Sequence, residues 1–152
     1  MKALKAVGIY LVTLATFLAL DGVWLGLVAR DFYRRELGHL LSPTVRWVPA
    51  ALFYLLYIAV LLILVVVPNS KRRLVRTVLL GGLFGLCAYA TYDLTNLATV
   101  SGWPASVALA DMVWGAVVTA SVAGVGHGLA RRLGHPPAAG KSGPAISGSS
   151  LT

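Results

Sequence analysis

The chain has 152 residues, of which 58% are hydrophobic and 12% are charged, and its formal net charge is +8. Soluble domains usually carry about 25% charged residues, so this composition excludes an ordinary soluble protein and predicts a small integral membrane protein. The positive charge does not indicate nucleic-acid binding, because the Lys and Arg residues lie in short blocks beside apolar segments, where anionic lipid headgroups would meet them. We therefore expect membrane lipids as partners, and no nucleic acid.

Four apolar segments reach the length of about 20 residues that a helix needs to cross a bilayer. Their predicted bounds are Ala6–Ala29, Trp47–Val67, Val78–Val100 and Ala105–Leu129. The sequence thus predicts an all-α polytopic membrane protein, with a bundle of four transmembrane helices in residues 1–133. The remaining residues, 134–152, are rich in Gly, Pro, Ala and Ser, which is typical of a flexible tail.

The first segment is expected to be a retained membrane span, not a cleaved secretory signal. Its apolar pattern resumes after Asp21, which makes it too long for a signal, and no clean small-x-small cleavage site follows. Asp21 lies 15 residues beyond Ala6, or about 22 Å into a hydrocarbon layer about 30 Å thick. The spacing predicts that one face of this helix carries Asp21 together with Tyr10, Thr13, Phe17 and Trp24.

The loop between the first two spans has a pattern of its own. Residues 28–41, V-A-R-D-F-Y-R-R-E-L-G-H-L-L, mix apolar and charged positions at a spacing that predicts an amphipathic helix at headgroup level. Two interpretations remain open. The helix only extends its arginines to lipid phosphates, or it forms a lid above the aspartates and holds an anionic headgroup through Arg34 and Arg35.

The third span carries polar residues at steps of three and four, which place them on one face of a helix. They are Tyr89, Tyr92, Asp93, Asn96 and Thr99. Because the opposite side is apolar, this stripe is expected to face protein. Asp93 lies 15 residues beyond Val78, which is the same depth as that of Asp21.

The fourth span enters from the other direction, and Asp111 lies 6 residues beyond its start at Ala105. That distance is about 9 Å, so all three aspartates are predicted in the same third of the membrane. Asp111 shares a helical face with Trp114 and Gly115. Both Asp21 and Asp111 thus have an indole three residues on, which can donate a hydrogen bond to a carboxylate.

Close helix contacts are expected wherever small residues line a span. The glycines concerned are Gly22, Gly26, Gly81, Gly82, Gly85, Gly115, Gly124 and Gly126.

The distribution of Lys and Arg predicts the orientation. Nine lie in the N-terminal segment, the loop after the second span and the tail, whereas four lie in the loop between the first two spans. Since cytoplasmic loops carry the excess of basic residues, both termini are expected in the cytoplasm and the loop of residues 30–46 outside. Trp47 and Trp103, at the outer ends of two spans, are expected to anchor them at the membrane interface.

Several short motifs together resemble a known family. They are L-D-G-V-W-L-G (20–26), R-D-F-Y-R-R-E-L-G-H-L-L (30–41), A-L-F-Y-L-L-Y (51–57), Y-D-L-T-N-L-A-T (92–99), G-W-P (102–104) and D-M-V-W-G (111–115). The order of these motifs, over roughly residues 5–125, resembles a family of small bacterial four-helix membrane proteins classified only as a domain of unknown function. The resemblance implies the four-helix architecture and a bacterial cytoplasmic (inner) membrane location, but no reaction.

The three aspartates are the candidate catalytic residues, because an ionisable group in hydrocarbon costs at least about 2.5 kcal/mol and usually marks a site. The candidate substrate-binding residues are Trp24, Tyr89, Tyr92, Asn96, Trp114, Arg34, Arg35 and His39. The alternative interpretation is that the carboxylates only hydrogen-bond across helices and fix their register.

No metal and no cofactor are predicted. Three carboxylates and His39 have the chemistry to bind Mg, Ca or Mn, but their spacing is not diagnostic. His127 and His135 are expected at the cytoplasmic edge, out of reach of the acids. Nucleophile motifs, a Walker loop and a dinucleotide glycine fingerprint are all missing from the sequence.

Three function classes remain open. The preferred one is modification or binding of a lipid or isoprenoid in the outer leaflet, in which one aspartate acts as general acid and another as base. The second is a proton- or ion-coupled small carrier that works as a homodimer. The third is a non-catalytic subunit of a membrane complex.

Overall fold

The computed structural model describes residues 2–42 and 44–134, and these form helices joined by short turns, with no strand among them. Helix α1, Lys2–Val23, continues as a π-helical turn, Trp24–Val28, and the short helix α2 follows at Arg30–Leu37. Helix α3, Trp47–Leu61, continues through a π-helical turn, Leu62–Val66, into Val67–Asn69. The last two helices are α4, Leu74–Thr99, and α5, Ala105–Gly134. The tail after Gly134 lies outside the described residues.

Four stretches of helix are long and apolar enough to cross a membrane, as the sequence predicts. They are Ala3–Val28, Trp47–Asn69, Leu74–Thr99 and Ala105–Leu133. Helix α4 begins at Leu74 instead of Val78, and α5 continues past Leu129 to Gly134. The difference arises because apolarity marks the part of a helix that lies in hydrocarbon, whereas backbone hydrogen bonding continues into the basic residues beyond it.

The surface of the bundle is apolar, as expected for a protein surrounded by lipid. Leu27 is 78% exposed, Val48 73% and Leu79 68%. The core is narrow and runs between the helices; its largest fully buried apolar side chains are Phe17, Ile58, Leu61, Val66, Val107, Val118 and Val122. Lipid tails are as apolar as leucine, so close packing and polar contacts, not removal of apolar surface from water, hold these helices together.

Helices α4 and α5 pack with their backbones in contact. A Cβ atom on Gly85 would overlap the carbonyl oxygen of Gly115, and one on Gly81 would lie 2.5 Å from the Cβ of Ala123. Glycine therefore allows this approach, as in other membrane helix pairs. By contrast, Gly22 and Gly26 have nothing within 4 Å of such an atom, so the prediction of close contacts is wrong for these two.

Helix α2 packs across one end of the bundle, which we call the α2 end. Its residue Leu37 is only 7% exposed, and Ser106 of α5 donates a hydrogen bond to Glu36 at 3.0 Å. The predicted amphipathic helix is thus confirmed. It is shorter than residues 28–41, because α2 spans Arg30–Leu37 and residues 38–40 form a turn. The sequence also predicts that Ser42-Pro43 ends this helix, and Pro43 lies outside the described residues.

Candidate functional site

A pocket of about 540 Å³ opens at the α2 end of the bundle. It is lined by Asp21, Trp24, Leu25, Tyr33, Phe53, Tyr54, Tyr57, Ala88, Tyr89, Tyr92, Asp111 and Trp114. These residues come from all four long helices and from α2. The pocket therefore combines two of the three predicted aspartates with a wall that is mainly aromatic, and we call it the aromatic pocket.

Asp21 lies at the centre of one hydrogen-bond network. It is 6% exposed and belongs to the buried face of α1, together with Thr13 and Phe17, as the spacing of these residues predicts. Tyr54 of α3 donates its hydroxyl to Oδ2 at 2.6 Å, and Trp114 of α5 donates Nε1–H to Oδ1 at 3.1 Å. Three helices thus meet at this carboxylate.

Asp111 is held by a different phenol. The hydroxyl of Tyr33, from α2, donates to Oδ1 of Asp111 and itself accepts a hydrogen bond from Nε1 of Trp24 at 3.1 Å. Burial of Tyr33 and its hydrogen bond to Asp111 raise the pKa of the phenol above its ordinary value of 10.0. The hydroxyl therefore stays protonated at neutral pH and remains the donor.

The two networks are joined by a stacked pair of indoles. The rings of Trp24 and Trp114 are nearly parallel, 6° apart, with centroids separated by 4.4 Å. The π-helical turn begins at Trp24, and the amide of Ala29 donates to its carbonyl at 2.7 Å. Such single π turns inside helices often lie at functional sites, because the extra residue in the turn changes where neighbouring side chains point.

Asp93 is fully buried but does not line the pocket. It lies close enough to Asp111 for their charges to interact, and next to Trp103. Neither oxygen of Asp93 accepts a hydrogen bond from any group in residues 2–42 and 44–134, and Nε1 of Trp103 likewise has no acceptor there. Trp103, expected to anchor the membrane interface, thus also has its Nε1 buried beside this acid.

The polar stripe of α4 is only partly buried. Tyr89 packs against Gly115, where a Cβ atom would overlap its ring, and lines the pocket. Tyr92 also lines the pocket but is 58% exposed, and its ring contacts Trp103 at a centroid distance of 5.6 Å. Thr99 is exposed, so the prediction that the whole stripe faces protein is wrong at these two positions.

The remaining predicted binding residues lie outside the pocket. Arg34, Arg35 and His39 are exposed, and Asn96 is half-buried. Nε of Arg35 is 3.7 Å from Oε1 of Glu36. The ring of His39 lies beside the turn at Gly102, which has a φ of 79°. In the described part of the chain, no three His, Cys, Asp or Glu side chains are grouped to hold a metal ion.

Sequence reasoning missed three tyrosines of the site: Tyr33, Tyr54 and Tyr57. The first two donate to the aspartates, and the hydroxyl of Tyr57 lies 2.7 Å from that of Thr119 below the pocket. A signal was available for Tyr54 and Tyr57, which are three residues apart in an otherwise apolar span. A phenol hydroxyl in hydrocarbon needs a partner, so both had to point into the bundle.

Comparison with known proteins places the chain in a family. Residues 6–127 match a family model described as "Predicted membrane protein (DUF2177)". The chain belongs to this family. The matched region contains every residue of the aromatic pocket, and the match confirms the resemblance seen in the sequence motifs. No curated protein and no solved structure matches the chain.

Proposed function

We propose that this membrane protein binds an amphiphilic lipid or isoprenoid in the aromatic pocket. The apolar body of the ligand lies among the aromatic rings, and its polar end reaches Asp21 and Asp111. The observation that carries the proposal is the presence of two carboxylates in the wall of one aromatic pocket within the membrane-spanning helices.

The size and the wall of the pocket support a ligand of this kind. Its volume of about 540 Å³ falls within the range of about 300–1,000 Å³ that is typical of small-molecule sites. Leu25 and Phe53 belong to the pocket wall, are 46% and 45% exposed, and lie in helical stretches long and apolar enough to cross a membrane. A molecule dissolved in the bilayer can therefore enter from the side.

The hydrogen bonds of the carboxylates indicate the polarity of the ligand. A carboxylate has about four acceptor positions, of which Asp21 uses two and Asp111 uses one for the donors already described. The unused positions suit a ligand hydroxyl, amine or other cation, and the stacked indoles add a surface that attracts positive charge. An anionic headgroup would be repelled here.

The same arrangement offers proton transfer if the ligand is also modified. Each pocket aspartate is paired with a phenol, Tyr54 for Asp21 and Tyr33 for Asp111. In our proposal one pair protonates the ligand and the other removes a proton from it, the usual division between a general acid and a general base. Asp93, behind the pocket wall, acts on Asp111 through its charge.

The proposal is tested by identifying what the purified protein carries. The wild type, Asp21→Asn and Asp111→Asn are extracted in mild detergent, and bound small molecules are measured by native mass spectrometry followed by solvent extraction. Asp31→Asn is the matched control, because Asp31 is exposed in α2 and does not line the pocket. We expect a hydroxylated or cationic amphiphile in the wild type and the control, and its loss from the two pocket variants. Equal ligand content in all four proteins would contradict the proposal.

Lipid profiling of a deletion strain separates modification from binding alone. A missing lipid or isoprenoid derivative, restored by the wild type and not by Asp21→Asn, supports catalysis. Substrate-driven proton uptake in liposomes would instead support the carrier. Our preference for the ligand site is based on Val122 and Ala123, two fully buried apolar residues that lie between Thr119 and His127 along α5.

A further inference from the structure

A second cavity, of about 420 Å³, lies at the opposite end of the bundle, between the start of α4 and the end of α5. We call this the basic end. Its polar lining consists of His127, Arg131 and Arg132, and two glycines, Gly124 and Gly128, form much of the rest of the wall. Because glycines contribute no side chain, the cavity leaves room for a group to approach the α5 backbone.

His127 is the buried polar group of this cavity, and it is 1% exposed. Its Nδ1 lies 2.8 Å from the hydroxyl of Thr77, which is itself fully buried. When Thr77 donates to Nδ1, the neutral ring carries its proton on Nε2. That atom has no partner within the described ranges, and buried polar atoms of this kind are usually satisfied by a ligand or a water molecule.

Further positive charge lies at the same end of the bundle. Arg73 and Arg76 line an adjoining cavity that shares Leu74 and Arg131 with the first, and Lys5 donates to the carbonyl of Leu133 at 2.9 Å. All acidic side chains of the sequence lie elsewhere: Asp21, Asp31, Glu36, Asp93 and Asp111. Asp93, the only acid on α4, is about 28 Å along the helix from Leu74, so no acidic side chain neutralises the charge at this end.

We propose that the cavity at the basic end binds a phosphate group, carried by an anionic phospholipid or free in solution. His127 donates through Nε2, and the guanidinium groups of Arg131 and Arg132 supply charge and paired N–H donors that match phosphate oxygens. Basic pockets between membrane helices bind lipid headgroups in this way. The proposal is independent of the aromatic pocket, which lies at the other end and has the opposite charge.

The experiment has two arms, both with the full chain. In the first, inorganic phosphate is titrated into protein in neutral detergent and followed by calorimetry. In the second, the protein is reconstituted in nanodiscs of phosphatidylcholine with increasing phosphatidylglycerol, and lipid retention is read by native mass spectrometry. Saturable binding in the first arm identifies free phosphate, and selective retention in the second alone identifies a lipid headgroup. Binding in neither arm overturns the proposal.

Variants distinguish specific binding in the cavity from general electrostatic attraction to a basic surface. Arg132→Gln and His127→Gln should each weaken binding about tenfold, the loss expected for one charge-assisted or buried hydrogen bond. Arg72→Gln is the matched control, because Arg72 is exposed at the same end but lines neither cavity. Equal weakening by Arg72→Gln would overturn the proposal. If the buried change at His127 impairs folding, the exposed Arg132 still provides the test.

Discussion

Trp114 donates its indole N–H to Asp21 on another helix, at 3.1 Å, and not to Asp111, which precedes it by one turn on its own helix. Trp24 likewise donates its indole N–H to the hydroxyl of Tyr33, which in turn donates to Asp111. It does not donate to Asp21, three residues before it on the same helix. Each indole thus belongs to the hydrogen-bond network of the aspartate on the other helix, and the two rings stack on each other. The pocket therefore depends on contacts between helices, so changes at single residues should affect both its ligand and the stability of the bundle.

Replacing Trp114 by Phe should remove the bond to Asp21 while keeping a ring in the pocket. We expect the free energy of unfolding to fall by about 1.5–3 kcal/mol, the value of a hydrogen bond to a charged group. The near-ultraviolet circular dichroism of the coupled indole pair should also disappear. Denaturant unfolding and the spectrum check both effects, with Trp47→Phe as control because Trp47 is 76% exposed. An identical change in the control would refute the assignment.

Asp93→Asn should raise the free energy of unfolding by about 1 kcal/mol, because it removes a buried carboxylate that has no hydrogen-bond partner in the described chain. Asp21→Asn should lower it, since Asp21 accepts two hydrogen bonds that an amide cannot both preserve. Thermal unfolding of the two variants at one pH tests this contrast. If both variants lose stability equally, Asp93 has a stabilising partner after all. A gain in stability with a loss of function would mark Asp93 as a functional residue.

Gly85→Ala should separate α4 from α5. The added methyl group would overlap the backbone of Gly115 and the side chain of Thr119, so we expect a loss of about 1–3 kcal/mol in the free energy of unfolding. Gly8→Ala, with nothing within 4 Å of the new atom, should leave stability unchanged or higher. Thermal unfolding in one detergent compares the two. A similar loss for both variants would contradict the close contact between α4 and α5 as the cause, because helix propensity alone favours alanine over glycine.

Tyr33→Phe should change how stability depends on pH. The pKa of Tyr33 is raised in the folded protein, so its contribution is complete below pH 10.0, the ordinary pKa of the unfolded chain. Above that pH the unfolded phenol ionises while the folded one remains protonated, and the wild type loses stability. We expect its advantage over Tyr33→Phe to be constant from pH 6 to about pH 9 and then to shrink. The melting temperatures of both proteins, measured from pH 6 to above pH 10.0, test this expectation. A stability advantage of the wild type that grows with pH would contradict it.

Much of the fold follows from the sequence alone, because a bilayer imposes a strict requirement on length and polarity. Four apolar stretches of sufficient length had to become four spans, and the polar spacing of Thr13, Phe17 and Asp21 correctly predicts the buried face of α1. The amphipathic pattern before Pro43 correctly predicts α2. These features are local, since each depends on the periodicity of one segment.

Only the tertiary structure decided which groups meet. Periodicity tells which face of a helix carries an acid, but not which neighbour lies opposite or how far each helix is rotated. It therefore could not show that Tyr33 donates a hydrogen bond to Asp111 and Tyr54 to Asp21, or that Asp93 lies behind the pocket wall. The sequence predicts His127 at the membrane edge but not that it is buried against Thr77, where α5 continues as packed helix beyond its most apolar part.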